Sequence, residues 1–260
     1  IVPYGEQFGC RITAGGVDTS MNWDGSMVIA EMLTPEGYNR YQFGGQIGAR
    51  SVSDPVSGEW QHHQQFGPAG SFSFHGGTRS AAPGTRIMAI ECSDPGTCTP
   101  SGNPPSPLRQ LDSWGIGTFS NLGSGKKAPV FALTEEEGLK VRKEPNGNKG
   151  FDGTYHYFEV NFDDLGEGGN GAVPEFCPAE GFGLNGAGYD ESPLGVPEPA
   201  RCDCPDFYRI TIHNGVLASD VSFGEDGNLD AASEALIMAQ PAIYKVRGYL
   251  DGGNLQIHSQ

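Results

Sequence analysis

Apolar positions along this chain recur mostly with a period of two, and seldom with the 3.6-residue period of an amphipathic helix. Short runs in which aliphatic and aromatic residues alternate with polar ones, bounded by Gly, Pro, Asn and Asp, predict strands over Tyr41–Ile47, Gly70–His75, Thr85–Cys92, Gly115–Leu122, Thr154–Phe162, Phe207–His213, Ala242–Leu250 and Leu255–His258. Only Asp230–Gln240 has the Ala, Ser, Glu, Leu and Met content of a helix, and Pro241 ends it. The pattern predicts an all-β protein: one domain over residues 1–260, an antiparallel, jelly-roll-like β-sandwich with at most one or two short helices.

Two stretches interrupt the pattern and are expected to be long loop insertions, near residues 93–110 and 165–205. The first holds Pro100, Pro104, Pro105 and Pro107, which lack the N–H that a ladder needs. The second is dense in Gly and Pro, yet contains three cysteines able to staple it to the body. Near the C-terminus, Tyr244–His258 reads as a hairpin turning at Asp251-Gly-Gly-Asn254, whose glycines permit positive φ. No fixed-period repeat is visible, which argues against a solenoid or a propeller.

One hairpin has a register that can be counted. If Phe66–Gly70 is its turn, Gln65 faces Ser71, His63 faces Ser73 and Gln61 faces His75. Alternation then puts Trp60, His62, Gln64, Phe72 and Phe74 on one face, and Glu59, Gln61, His63, Ser71, Ser73 and His75 on the other. On the polar face His63 and His75 lie diagonally across two strands, close enough to share a metal ion with Glu59 or Gln61 as a third ligand. The ordinary reading of the same residues is hydrogen bonding on a half-exposed sheet.

Composition adds an ordered but loop-rich character: 40 Gly and 19 Pro accompany 37% hydrophobic and 10% aromatic residues, enough for a core. Sixteen basic residues against 32 acidic ones leave a formal charge of -16, a field that repels nucleic acid and anionic lipid. Carboxylates on glycine-rich loops suit Ca²⁺, and Asp226, Asn228 and Asp230 have the alternating spacing for it, without the terminal bidentate Glu of an EF-hand. The same residues also serve as turn and cap formers, and the acid keeps an exported protein soluble.

Six cysteines in loop-like surroundings imply disulfides and an oxidising compartment. Cys92 and Cys98 bracket a turn-forming insert, so a local Cys92–Cys98 bridge is expected, leaving Cys10 to pair with one of Cys177, Cys202 and Cys204. Zinc is disfavoured because the only close pair, Cys202 and Cys204, has no twin at metal-site spacing. No apolar run approaches the length of a membrane span, and with neither an initial Met nor a signal-like segment a mature or trimmed chain is expected.

Catalytic signatures are missing: there is no Gly-x-Ser-x-Gly elbow, no His-Glu-x-x-His, and no Walker or Rossmann glycine pattern in context. Trp23, Trp60 and Trp114 offer flat faces to sugar rings, although core packing is the commoner use of tryptophan. Gly44–Ala49, Gly58–Gln64, Phe74–Thr78, Ile90–Cys98, Cys204–His213 and Gly248–His258 together resemble signature stretches of β-rich domains in exported bacterial proteins of unassigned chemistry, often beside anchoring or adhesive modules. The resemblance implies location and architecture and brings no catalytic residues. The expected function is therefore that of a non-catalytic structural or interaction protein, secreted or at the cell surface (extracellular or periplasmic), assembling with itself or another envelope component. The alternatives are a carbohydrate-binding or calcium-dependent adhesive module and, third, a metal-dependent enzyme using His63 and His75.

Overall fold

The structure, a computed structural model, describes residues 9–18, 41–51, 54–64, 72–77, 82–93, 110–120, 129–131, 141–143, 153–165, 177, 204–250 and 252–259. These form twelve strands: β1 (Cys10–Asp18), β2 (Tyr41–Gly48), β3 (Ser57–Gln64), β4 (Phe72–Gly76), β5 (Arg86–Ser93), β6 (Gln110–Ser120), β7 (Pro129–Phe131), β8 (Val141–Lys143), β9 (Thr154–Asp163), β10 (Phe207–Leu217), β11 (Ala242–Tyr249) and β12 (Gly252–Ser259). One α-helix among the described residues, α1 (Ala231–Met238), begins at Asp230, whose side chain accepts the Ser233 backbone N–H, the capping bond that starts a helix. The expected strands and helix are thus present. β6 starts earlier than expected, and β1 was not foreseen, because its Gly15-Gly16 pair hides the alternation of Cys10, Ile12 and Ala14.

Ten strands form one antiparallel sheet in the order β11-β10-β9-β6-β4-β3-β2-β1-β12, with β5 attached to β6, while β7 and β8 pair separately. The long β6 explains the branch: residues 86–93 of β5 pair with residues 110–116 of β6, and β4 pairs with residues 117–120. The sheet curls strongly. Phe43 of β2 stacks on Tyr208 of β10 with ring centroids 3.9 Å apart, although four strands separate them in the sheet order. Only two halves of one sheet folded face to face bring those rings together, so the expected all-β architecture holds; its jelly-roll connectivity is not established by this strand order.

The inward residues of both halves fill the main core, including Ile12, Phe43, Trp60, Phe74, Phe158, Phe162, Tyr208, Ile210 and Val246. Each such fully buried apolar side chain contributes about 1.5 to 3 kcal/mol against exposure. Outside the curl, α1 covers one end of the β9–β10 surface through Ile237, Leu229, Tyr155 and Val216. A third cluster, Leu165, Phe207 and Tyr249 with the Cys177–Cys204 disulfide, covers the other end.

Two expectations are corrected. Residues Tyr244–His258 are not a hairpin: β11 pairs with β10 and β12 with β1, at opposite ends of the sheet. Buried Leu250 plugs the core while the chain passes from one sheet end to the other, and Gly253, at φ +117°, serves close approach instead of a turn, since a Cβ there would lie 2.2 Å from the Gly15 carbonyl oxygen. The second correction concerns Cys92, which bonds Cys10 and not Cys98. Ile90 and Cys92 share the inward parity of β5, and β5 packs across β1, which aims the Cys92 sulfur at Cys10. Cys10 is accordingly not a partner of the cysteines near residue 200, of which Cys204 bonds Cys177. Cys98 and Cys202, like most of both expected loop insertions, lie outside the described residues.

Candidate functional site

The counted hairpin forms in the expected register: His63 opposite Ser73, His62 opposite Phe74, Gln61 opposite His75. Its inward face is buried, with Trp60, His62 and Phe74 at 0% exposure. Trp60 therefore packs in the core, the commoner use of a tryptophan, and presents no face to solvent as a sugar-stacking ring, while Trp23 and Ser71 lie outside the described residues. Buried Trp60 still needs a partner for its indole N–H, which donates to the Tyr208 hydroxyl at 3.1 Å. That hydroxyl lies 3.2 Å from His62 Nδ1, and His62 Nε2 lies 2.8 Å from the Tyr244 hydroxyl. A neutral imidazole donates from one ring nitrogen and accepts at the other, so His62 can satisfy both tyrosine hydroxyls without carrying a charge.

On the outward face His63 and His75 are half-buried, and Glu59 and Gln61 are exposed. His63 Nδ1 is 2.7 Å from the Ser73 hydroxyl. Burial lowers the pKa of both imidazoles, with Glu59 partly offsetting this at His75, so both are neutral at neutral pH. Among the described residues no three His, Cys, Asp or Glu side chains come together as a metal-holding group. Asp226 accepts from the backbone N–H and the side-chain amide of Asn228, and Asp230 caps α1. These three residues thus serve the turn and the helix start. A cavity of about 880 Å³ adjoins this face and is lined by Arg11, Arg50, Asp54, Glu59 and several glycines, with no aromatic ring among its lining residues.

A different site emerges on the outer face of β6, β9 and β10. Register puts Asp112, Asn161 and Arg209 in one row across the three strands, and Trp114, Glu159 and Thr211 in the next. The covering cluster around Phe207 closes one side of these rows, and the α1 cluster around Tyr155 closes the other. Between them lies a groove of about 340 Å³, lined by both rows together with Tyr157 and Glu91. Trp114 is half-buried: it packs against the α1 cluster and also lines the groove. Burial, with the neighbouring Glu159 carboxylate, raises the pKa of the Tyr157 hydroxyl, which stays protonated.

Asn161, only 2% exposed, donates from Nδ2 to Asp112 Oδ1 at 2.9 Å. Its own Oδ1 is buried without a hydrogen-bond partner among the described residues. An unmatched buried acceptor of this kind costs about 1 to 3 kcal/mol. The groove thus combines an aromatic ring, planar amide and guanidinium groups, and acceptors. Of its residues the sequence singled out Trp114 alone. The others come from four strands far apart in the chain, and their only signal is a polar residue at every second position of strands whose other face is apolar, as in Tyr157, Glu159 and Asn161.

Comparison of the chain with protein-family models, with curated proteins and with solved structures finds no match.

Proposed function

We propose that this protein is an exported interaction module that acts by binding, and that its ligand is a saccharide held in the Trp114 groove. The observation that carries the reading is the placement of half-buried Trp114 in one row with Glu159 and Thr211, beside the row of Asp112, Asn161 and Arg209. Sugar rings are recognised by an aromatic face under their C–H groups and by planar polar side chains at their rim hydroxyls, and the groove supplies both. Export is supported by the Cys10–Cys92 and Cys177–Cys204 disulfides, bonds characteristic of oxidising compartments. No helix among the described residues is long and apolar enough to cross a membrane.

A glycan array followed by titration calorimetry tests the proposal. Trp114→Ala is expected to weaken binding at least about tenfold, the loss that goes with removing one stacking aromatic, with the circular dichroism spectrum unchanged. Trp114→Phe, which keeps a ring and the packing, is expected to retain part of the affinity. Absence of any saccharide binding by the wild-type chain, or equal binding by Trp114→Ala, overturns the proposal.

A further inference from the structure

We infer that the saccharide taken by this groove carries a protonated amine, an inference that rests on the saccharide reading above. The groove's charged side chains are three carboxylates, Glu91, Asp112 and Glu159, against one guanidinium, Arg209. Glu91 and Glu159 are exposed, so they meet a ligand directly. The chain as a whole has a formal charge of -16, which adds a long-range field of the same sign. Uronic, sulfated or sialylated sugars are repelled on both counts.

Hydrogen-bonding capacity points the same way. The Asn161 side-chain oxygen is buried with no donor, and Asn161 lines the groove. The carboxylates of Glu91 and Glu159 are likewise acceptors, with no donor capacity when ionised. An ammonium group offers three N–H donors and no acceptor, and so suits these acceptors better than a hydroxyl does, while the donors of Arg209, Thr211 and Trp114 are left for the ring hydroxyls. Trp114 and Tyr157 add aromatic rings, and a cation near such a ring gains a further electrostatic attraction that a neutral sugar lacks.

The test compares three oligosaccharides of equal length by calorimetry at low salt: glucosamine oligomers, their N-acetylated counterparts, and oligogalacturonate. The free-amine series is expected to bind about tenfold more tightly than the acetylated series, and the acidic series least. In the double variant Glu91→Gln with Glu159→Gln, both exposed positions, the tenfold preference of the amine over the acetylated series is expected to vanish, with the circular dichroism spectrum unchanged. Equal wild-type affinity for the amine and acetylated series, or a preference that survives in the double variant, overturns this inference and leaves the saccharide reading standing. If no oligosaccharide binds, both fall. A lysine-rich peptide that binds more tightly than any sugar, and does so through Trp114, also overturns both.

Discussion

The imidazole of His62 lies in the aromatic core between two tyrosine hydroxyls, and it stays there as a neutral group because its two nitrogens have opposite roles in one hydrogen-bond chain. Desolvation, helped by nearby His63, lowers its pKa from 6.5 to about 3. As pH falls below 6.5 the unfolded chain takes up this proton and the folded chain does not, so stability is complete above 6.5 and declines toward about 3. The loss from His62 over that window is on the order of 5 kcal/mol. His63, His75 and His258 are also lowered and add slope of the same sign. Urea titrations at a series of pH values from about 7 to 4 are expected to show His62→Gln less stable at pH 7 by about 1 to 3 kcal/mol, and flatter toward acid, than wild type. An unchanged slope would remove His62 from the account. That Trp60, His62 and Phe74 point inward was legible from alternation; that His62 is held by Tyr208 and Tyr244 was not, since those residues come from β10 and β11, more than a hundred positions away.

At the scale of elements, strand edges decide how the sheet meets other chains. β11 and β12 end the sheet order, and an open edge pairs readily with another strand. On β12 the Ile257 N–H, which would otherwise face outward, donates to Asp164 Oδ2 at 3.1 Å. This carboxylate occupies an edge N–H that a neighbouring strand would otherwise use. Asp164→Ala is expected to raise self-association, read as a concentration-dependent shift from monomer to dimer in analytical ultracentrifugation. A variant that sediments like wild type at every concentration would show that Asp164 does not guard the edge. The β3–β4 register was legible because a short turn and strict alternation leave one pairing that buries Trp60 and Phe74. Alternation is equally clear around Gly252 and Gly253, yet β12 joins β1, because a turn-like sequence shows only where the chain can bend and not which strand it then meets.

For the whole molecule, the Cys10–Cys92 disulfide ties the start of β1 to the end of β5, the strand outside the main order, across 82 residues of sequence. Closing a loop of that length removes enough freedom from the unfolded chain for about 4.5 kcal/mol of stability in the chain-entropy account. Cys10→Ser with Cys92→Ser is expected to lower the denaturation free energy by that order, and peptide mapping without reduction to recover Cys10 linked to Cys92. Recovery of a Cys92–Cys98 peptide, or an unaltered denaturation midpoint in the double variant, would refute the assignment. The amino-acid sequence by itself determined the strands other than β1, β7 and β8, the parity of their side chains, the local β3–β4 register and the one helical stretch, because each depends on residues a few positions apart. Only the tertiary structure decided that Trp60 is core and Trp114 lines a groove, that Cys10 meets Cys92, and that residues of β5, β6, β9 and β10 line that one groove. Those pairings join segments tens to hundreds of residues apart, and they follow from how one twisted sheet curls to bury both of its inner halves at once.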